Sequence, residues 1–241
     1  MLHLRCPSLE PPCSAGQFFL VRCTPSPDIW DPYPRRALFP ALIEPERLTL
    51  WLADANDRGL AWLVTQPEGT RLDLLGPGGR GFELPPSRAR VLILAQDEGL
   101  GPVWPLLRRA LTEGHQVTLA LGVRRGDLAV SPEWVPVAVE YRLATKDGRA
   151  GREGDVFDLL SGLEEWPDRI YAALPRAQWS RLRAWIESWR PMIEPGFAQV
   201  LVLGDILCGI GACLTCIIER RDGRLTRTCV HGPVMDLTTL A

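Results

Sequence analysis

The feature that most constrains this 241-residue chain lies near its C-terminus, where Cys208, Cys213 and Cys216 stand in a C-x4-C-x2-C run and Cys229 follows. That is the plant-type spacing of [2Fe–2S] ligands. Two bridged irons take two terminal thiolates each, so such a segment folds as a tight wrap around a bulky centre and not as a regular helix or strand. Gly209, Gly211 and Ala212 supply the small residues of that wrap and let backbone N–H groups turn toward sulfur. The chemistry implied is one-electron transfer. Four thiolates also satisfy a tetrahedral zinc ion. Zinc ribbons, however, usually present two C-x2-C knuckles, and here only Cys213 and Cys216 form one.

The rest of the chain is that of a globular protein with room for two ordinary domains beside the cysteine segment. An apolar fraction of 46% against 23% charged residues supports a real core, and a net charge of −2 gives no case for a nucleic-acid or anionic-membrane partner. No apolar run approaches the roughly 20 residues that span a bilayer, and the N-terminus lacks the layout of a signal peptide, so a cytoplasmic protein is expected. Cys6, Cys13 and Cys23 are scattered and are read as buried or idle thiols, not as a disulfide framework. His3, His115 and His231 are too dispersed for a histidine-based triad, and no serine sits in a Gly-x-Ser-x-Gly elbow.

Along the chain the hydrophobic rhythm changes once. Residues 1–85 read as an antiparallel β barrel, with strands over Gly16–Cys23, Ala37–Ile43 and Arg47–Ala53 bounded by Pro, Asp and Gly. The glycine density of Gly76–Phe82 speaks against a regular element there, and Pro85-Pro86-Ser87 marks a boundary. Residues 86–192 read as an α/β domain. Arg90–Ala95 is a continuous apolar run of the kind found in buried parallel strands, followed by a helix over Val103–Leu111 and strands over Gln116–Gly122, Val137–Leu143 and Arg169–Leu174. A short helix is expected over Gly154–Leu160 and an amphipathic one over Gln178–Trp189, with Trp179, Trp185 and Trp189 facing the sheet. This alternation implies a parallel sheet with helices on both faces and a ligand crevice at the strand C-termini, near Ala95 to Pro102. Residues 193–241 form the [2Fe–2S] module.

With these motifs in hand, the chain resembles over its whole length the electron-transfer subunit of NAD-dependent dihydroorotate dehydrogenase, in the ferredoxin-reductase superfamily. The stretches that carry the resemblance are Gly16–Val21, Arg35–Pro40, Gly76–Phe82, Ala144–Val156 and the cysteine segment ending in Cys229-Val-His-Gly-Pro-Val-Met235. The resemblance implies a subunit that takes a hydride from NADH onto FAD. It then passes single electrons through the cluster to FMN in a separate catalytic subunit of the pyrimidine pathway, and is active only with that subunit. Nicotinamide gives two electrons and an iron–sulfur centre accepts one, so a flavin belongs between them. By the same resemblance Arg36 matches the arginine of an Arg-Pro-(Ile/Leu)-Ser motif that contacts flavin. Gly59 matches a Gly-Thr pair at the FAD phosphate or ribityl group, and Gly76, Pro77, Gly81 and Phe82 match the segment beside the cofactor.

The departures from the family pattern fall on nucleotide contacts. Phe39 replaces a serine and Leu60 a threonine of the flavin motifs. The glycine-rich loop after the first α/β strand reads Gln96-Asp97-Glu98-Gly99-Leu100-Gly101-Pro102, which keeps Gly99, Gly101 and Pro102 but puts two carboxylates where a pyrophosphate would lie. Like charges about 5 Å apart repel by about 1–3 kcal/mol at intermediate dielectric, which argues against ordinary NAD(P) binding. Ala172–Pro175 stands in place of the family's Cys-Gly-Pro. Three alternatives follow: a donor that is another redox protein, such as a ferredoxin or flavodoxin; a flavin and iron–sulfur subunit of a sulfhydrogenase or ferredoxin:NADP oxidoreductase; or a scaffold that holds a centre for stability alone.

Overall fold

The structure, a computed structural model, describes residues 1–7, 12–25, 28–29, 31, 35–52 and 57–241. Its N-terminal part contributes strands β1 (Leu2–Arg5), β2 (Phe18–Val21), β3 (Arg36–Leu38), β4 (Pro40–Glu44) and β5 (Arg47–Leu50), helix α1 (Arg58–Val64) and strand β6 (Leu74–Gly78). These strands pair antiparallel in two three-stranded sheets, β1-β5-β4 and β3-β2-β6. Phe19, Val21 and Leu38 from one sheet and Leu48 and Leu50 from the other meet α1 residues Leu60 and Leu63 in a common core.

Two expectations are corrected here. The segment Ala37–Ile43 is not one strand, because β3 and β4 belong to different sheets and the chain changes partner at Phe39. The stretch beginning at Gly76 is not irregular throughout, because Leu74–Gly78 pairs with β2 as β6. Its glycines serve close packing. A Cβ on Gly78 would fall 2.8 Å from Phe18 Cζ, and one on Gly79 2.5 Å from Pro233 Cδ. Of the strand expected over Arg47–Ala53, Arg47–Leu50 is observed, and Ala53 lies outside the described residues.

The larger sheet contains β7 (Arg90–Gln96), β8 (Gln116–Val123), β9 (Val139–Thr145), β10 (Arg152–Glu153), β11 (Arg169–Ala173), β12 (Ala198–Leu201) and, further along the chain, Val234–Asp236. It is parallel except at its last edge, where Val234–Asp236 runs antiparallel to β12. Alternation along β7 decides which helix covers which face. Val91, Ile93 and Ala95 point to the helix α2 (Leu100–Thr112), meeting Val103, Leu106 and Leu107. Leu92 and Leu94 point to α3 (Trp179–Glu187), meeting Trp179, Leu182 and Ile186. The expected helices on both faces are therefore present. Trp179 is fully buried, and Trp185 and Trp189 pack partly buried against the same core. The short helix expected over Gly154–Leu160 is a 3₁₀ turn, Val156–Leu159, closed by a capping box between Asp155 and Asp158.

Residues 193–241 share the larger sheet. The cysteine segment is an excursion between β12 and the antiparallel edge strand, closed at its base where the Val202 N–H donates to the Pro233 carbonyl, 2.9 Å. Within it, β13 (Ile217–Glu219) and β14 (Leu225–Arg227) form a hairpin, α4 (Thr228–His231) is a single turn, and β15 (Val234–Asp236) rejoins the sheet. No helix among the described residues is long and apolar enough to cross a membrane.

The N-terminal sheets and the larger sheet meet at α2, where a Cβ on Gly101 would lie 2.3 Å from Trp51 Cγ. Gly101→Ala is therefore expected to lower the unfolding free energy by about 1–3 kcal/mol, whereas Gly204→Ala, with nothing within 4 Å of an added Cβ, should change it by less than about 0.5 kcal/mol. Urea unfolding midpoints of the two variants check this contrast.

Candidate functional site

Two features adjoin at one end of the molecule, a cysteine cradle and an open groove. The cradle brings the four thiols together in pairs. Cys216 Sγ and Cys229 Sγ lie 3.2 Å apart and are buried, while the Cys213 N–H points at Cys208 Sγ from 3.4 Å nearer the surface. Two thiols on each side is the arrangement that two bridged irons require.

The backbone prepares this cradle for thiolates. The N–H groups of Cys213 and Ile210, with a smaller contribution from Ala212, face the Cys208 sulfur and hold its pKa down to about 6. Amides so arranged would also donate to the sulfurs of a bound centre. Burial pushes the Cys229 thiol up to about 12, and the neighbouring Cys216 reinforces the shift. A buried pair of thiols is costly to ionise alone and calls for a cation to be shared. Their surroundings are apolar: Phe18 and Leu20 of β2 and Ile206 pack directly on Cys216 and Cys229. His231 accepts from or donates to Thr226 at 3.1 Å, according to its tautomer.

The groove, of about 510 Å³, falls in the size range of small-molecule sites. Its walls include Arg36 and Phe39 from β3 and the following residue, Trp51, Leu60 of α1, Pro102 of α2, the acidic residues Asp57 and Glu98, and the 203–207 segment, with Asp205, that leads into Cys208. Arg36 is oriented by Asp57, whose carboxylate receives its Nε at 2.8 and 2.9 Å and also caps α1 by accepting from the Leu60 N–H at 2.8 Å. Burial alone would raise the Asp57 carboxyl, but the Leu60 amide and the Arg36 guanidinium outweigh it and hold it below its ordinary value. Arg35 is fixed in turn by Asp73, 2.7 Å away, an aspartate that Arg22 shares. A slot with aromatic and aliphatic walls and two arginines at one side suits a flat heteroaromatic ring bearing a phosphate, because guanidinium groups pair well with phosphate oxygens.

The residues named from the sequence separate into groups. Arg36 and Pro102 line the groove. Gly59 lies beneath Arg36, its missing Cβ 3.1 Å from Cζ. Gly76, Pro77, Gly81 and Phe82 lie along a different contact, the junction of β2, β6 and the base of the cysteine excursion, where Phe82 stacks edge-on against Tyr171 at 5.7 Å. Gly99 faces Ala173, and Gly101 faces Trp51. Sequence reasoning passed over Trp51, Asp57 and the 203–207 segment. Asp57 carried the one local signal, an N-cap type ahead of a helical run. Cys6, Cys13 and Cys23 are unpaired thiols whose pKa values burial raises, to about 12 for Cys13, as idle thiols require.

Comparison with known proteins agrees with this geometry. Residues 205–241 match the iron–sulfur cluster binding domain of dihydroorotate dehydrogenase B. The chain is similar to the protein named dihydroorotate dehydrogenase B (NAD(+)), electron transfer subunit, from Shouchella clausii, 30% identical over 226 residues that cover 91% of this chain and 83% of the relative. It is 28% identical to the protein of the same name from Desulforamulus reducens, with the same coverage. Among solved structures, that of an NADH-dependent reduced ferredoxin–NADP oxidoreductase superposes with a TM-score of 0.77 over 99% of this chain and 83% of the other, at 21% identity. That likeness establishes a ferredoxin-reductase type of fold.

The cradle predicts an order of thiol reactivity. In metal-free protein Cys208 should alkylate first and Cys229 last. The Cys208 rate should fall about tenfold from pH 7 to pH 5, as protonation removes a thiolate whose pKa is about 6. Peptide mass spectrometry after timed iodoacetamide treatment reads the order directly.

Proposed function

The chain belongs to the family of electron-transfer subunits of dihydroorotate dehydrogenase B, and we propose that it relays electrons through FAD in the groove and a [2Fe–2S] cluster in the cradle to the FMN of a separate catalytic subunit. The observation that carries this reading is the shared wall. Ile206 and Leu207 line the groove, and Cys208 is the next residue in the chain, so the two cofactor sites are separated by little more than a side chain. When bound, the flavin divides a two-electron donation into single electrons, which the iron–sulfur centre carries one at a time.

Each part of the chain has a defined task. Asp57 and Asp73 hold Arg36 and Arg35 in place beside the groove, so that their remaining N–H donors are positioned without the entropy of two free side chains. Phe39, Trp51 and Leu60 offer the apolar walls that exclude water from a ring. Phe39 and Leu60 replace hydroxyl-bearing residues of the family motifs, so recognition here leans on packing and on the two arginines. In the cradle, Cys216 and Cys229 are the inner ligands, dry against β2. Cys208 and Cys213 are the outer ones, supported by the amides of the 210–213 loop. The two antiparallel sheets of residues 1–85 serve as the flavin-binding barrel. The sheet of residues 86–192 is the nucleotide-type domain, and 193–241 is the cluster module that completes that sheet.

The outer pair of ligands marks the exit. Ile210 is 77% exposed and Leu214 53%, and both belong to the loop that carries Cys208 and Cys213. Apolar side chains left open beside an electron-carrying centre suit a protein partner, here the catalytic subunit.

Cys213→Ser should abolish or severely deplete iron and sulfide while leaving flavin in place, as elemental and flavin analysis of the purified variant will show. Ile210→Glu should keep both cofactors yet weaken assembly with the catalytic subunit by about tenfold or more. Iron and sulfide unchanged in the first variant would refute the ligand assignment, and undiminished co-purification of the second would move the docking face elsewhere.

A further inference from the structure

We infer that the crevice at the carboxyl ends of β7 and β11 does not accept the diphosphate of a dinucleotide, and that this subunit draws its electrons from a donor other than NAD(H). The inference rests on the reading of the chain as an electron-transfer subunit, and it departs from the NAD(+) in the names of its relatives.

In an open α/β sheet the nucleotide lies outside the strand C-termini at the point where strand order reverses, with its phosphates on a helix N-terminus that backbone glycines leave open. Here that point lies between β7 and β11, since β8 flanks β7 on one side and β11 on the other. The protein's own groups crowd its two sides. Gln96, the last residue of β7, is buried and lies over β8, with its Oε1 2.4 Å from the place of a Cβ on Gly122. Its Nε2 donates to Asp97 Oδ2 at 3.1 Å. Asp97 adopts a left-handed backbone, φ 48°, which turns its carboxylate toward the end of β8 to accept from the Arg124 N–H at 2.9 Å. On the other side the β7–α2 loop rests on the end of β11, so closely that a Cβ on Gly99 would lie 2.2 Å from the Ala173 carbonyl oxygen.

Electrostatics closes the site further. Asp97 and Glu98 bring two carboxylates to the start of α2. One guanidinium answers both, with Arg124 Nε 3.4 Å from Asp97 and Nη2 3.1 Å from Glu98. The local sum is negative where a phosphate needs positive charge. The other arginines at this rim are engaged as well: Arg125 pairs with Asp127, and Arg149 with Asp147 at 3.7 Å. The groove beside β3 differs in its walls, which are aromatic and aliphatic with Arg35 and Arg36 at one side, although Asp57, Asp205 and Glu98 also border it. The same chain thus keeps an aromatic-walled slot with two arginines for one nucleotide cofactor and lacks a phosphate seat for the second.

The test is NADH binding by the holo-subunit, prepared without oxygen and read by equilibrium dialysis and by bleaching of its visible absorption. The expected result is no saturable binding, with a dissociation constant above about 1 mM, and no bleaching by NADH in a sample that dithionite bleaches fully. Saturable binding in the micromolar range, or rapid bleaching by NADH, overturns the inference. A sample with no visible chromophore for dithionite to bleach would overturn the proposed function instead, while the dialysis result still decides the crevice. The double variant Asp97→Gly/Glu98→Ala should gain NADH binding by about tenfold or more. A variant with an unchanged far-UV spectrum that still ignores NADH would remove the two carboxylates as the cause. If the double variant does not fold, Glu98→Gln, an exposed single change, gives the same reading with a smaller gain.

Discussion

The buried contact of Cys216 and Cys229 with β2 decides where everything else in the site can be. The two thiols lie 3.2 Å apart on Phe18 and Leu20, and the same strand pairs on either side with β3 and β6. β3 carries Arg36 into the groove, and Phe39 beyond it meets Phe18 edge-on, with ring centres 6.5 Å apart. A single short strand therefore sets the distance between the groove and the inner pair of thiols. A change in the packing of Phe18 would be felt at both.

Three parts of the chain are tied together at this strand. The excursion that carries the cysteines is held at its base by the Val202–Pro233 hydrogen bond, and beyond β6 Arg80 bridges to Pro233. Only glycines let these backbones approach, as the 2.6 Å from the place of a Cβ on Gly79 to the Gly232 carbonyl shows. Rigid tethering of this kind favours electron transfer, which depends on fixed distances and on little reorganisation around the centre. The charge distribution follows the same division of labour. Amides lower the Cys208 thiol, arginines anchored by aspartates serve the groove, and carboxylates occupy the crevice of the larger sheet.

How much of this could be read in the sequence depends on the range of each interaction. The cysteine pattern that places residues 205–241 in an iron–sulfur binding domain was legible because its spacing is local, and the buried strand β7 because a continuous apolar run has few other uses. Arg36 was legible by resemblance, and the structure places it on the groove wall. The split of Ala37–Ile43 at Phe39 and the strand character of Leu74–Gly78 were not, since both are settled by pairing with β2, which lies far back along the chain from β3 and from β6. Trp51 and the 203–207 segment escaped for the same reason. Asp97 and Glu98 stood out as charges in the wrong place, but only the structure shows Arg124 drawn from the end of β8 to meet them.

The central claim is that one chain holds a flavin and a two-iron cluster side by side. Its most direct test is the iron, acid-labile sulfide, zinc and flavin content of the anaerobically purified chain. About two irons, two sulfides and one FAD per chain are expected. One zinc per chain, with neither sulfide nor flavin, would contradict the claim and leave a structural scaffold in its place.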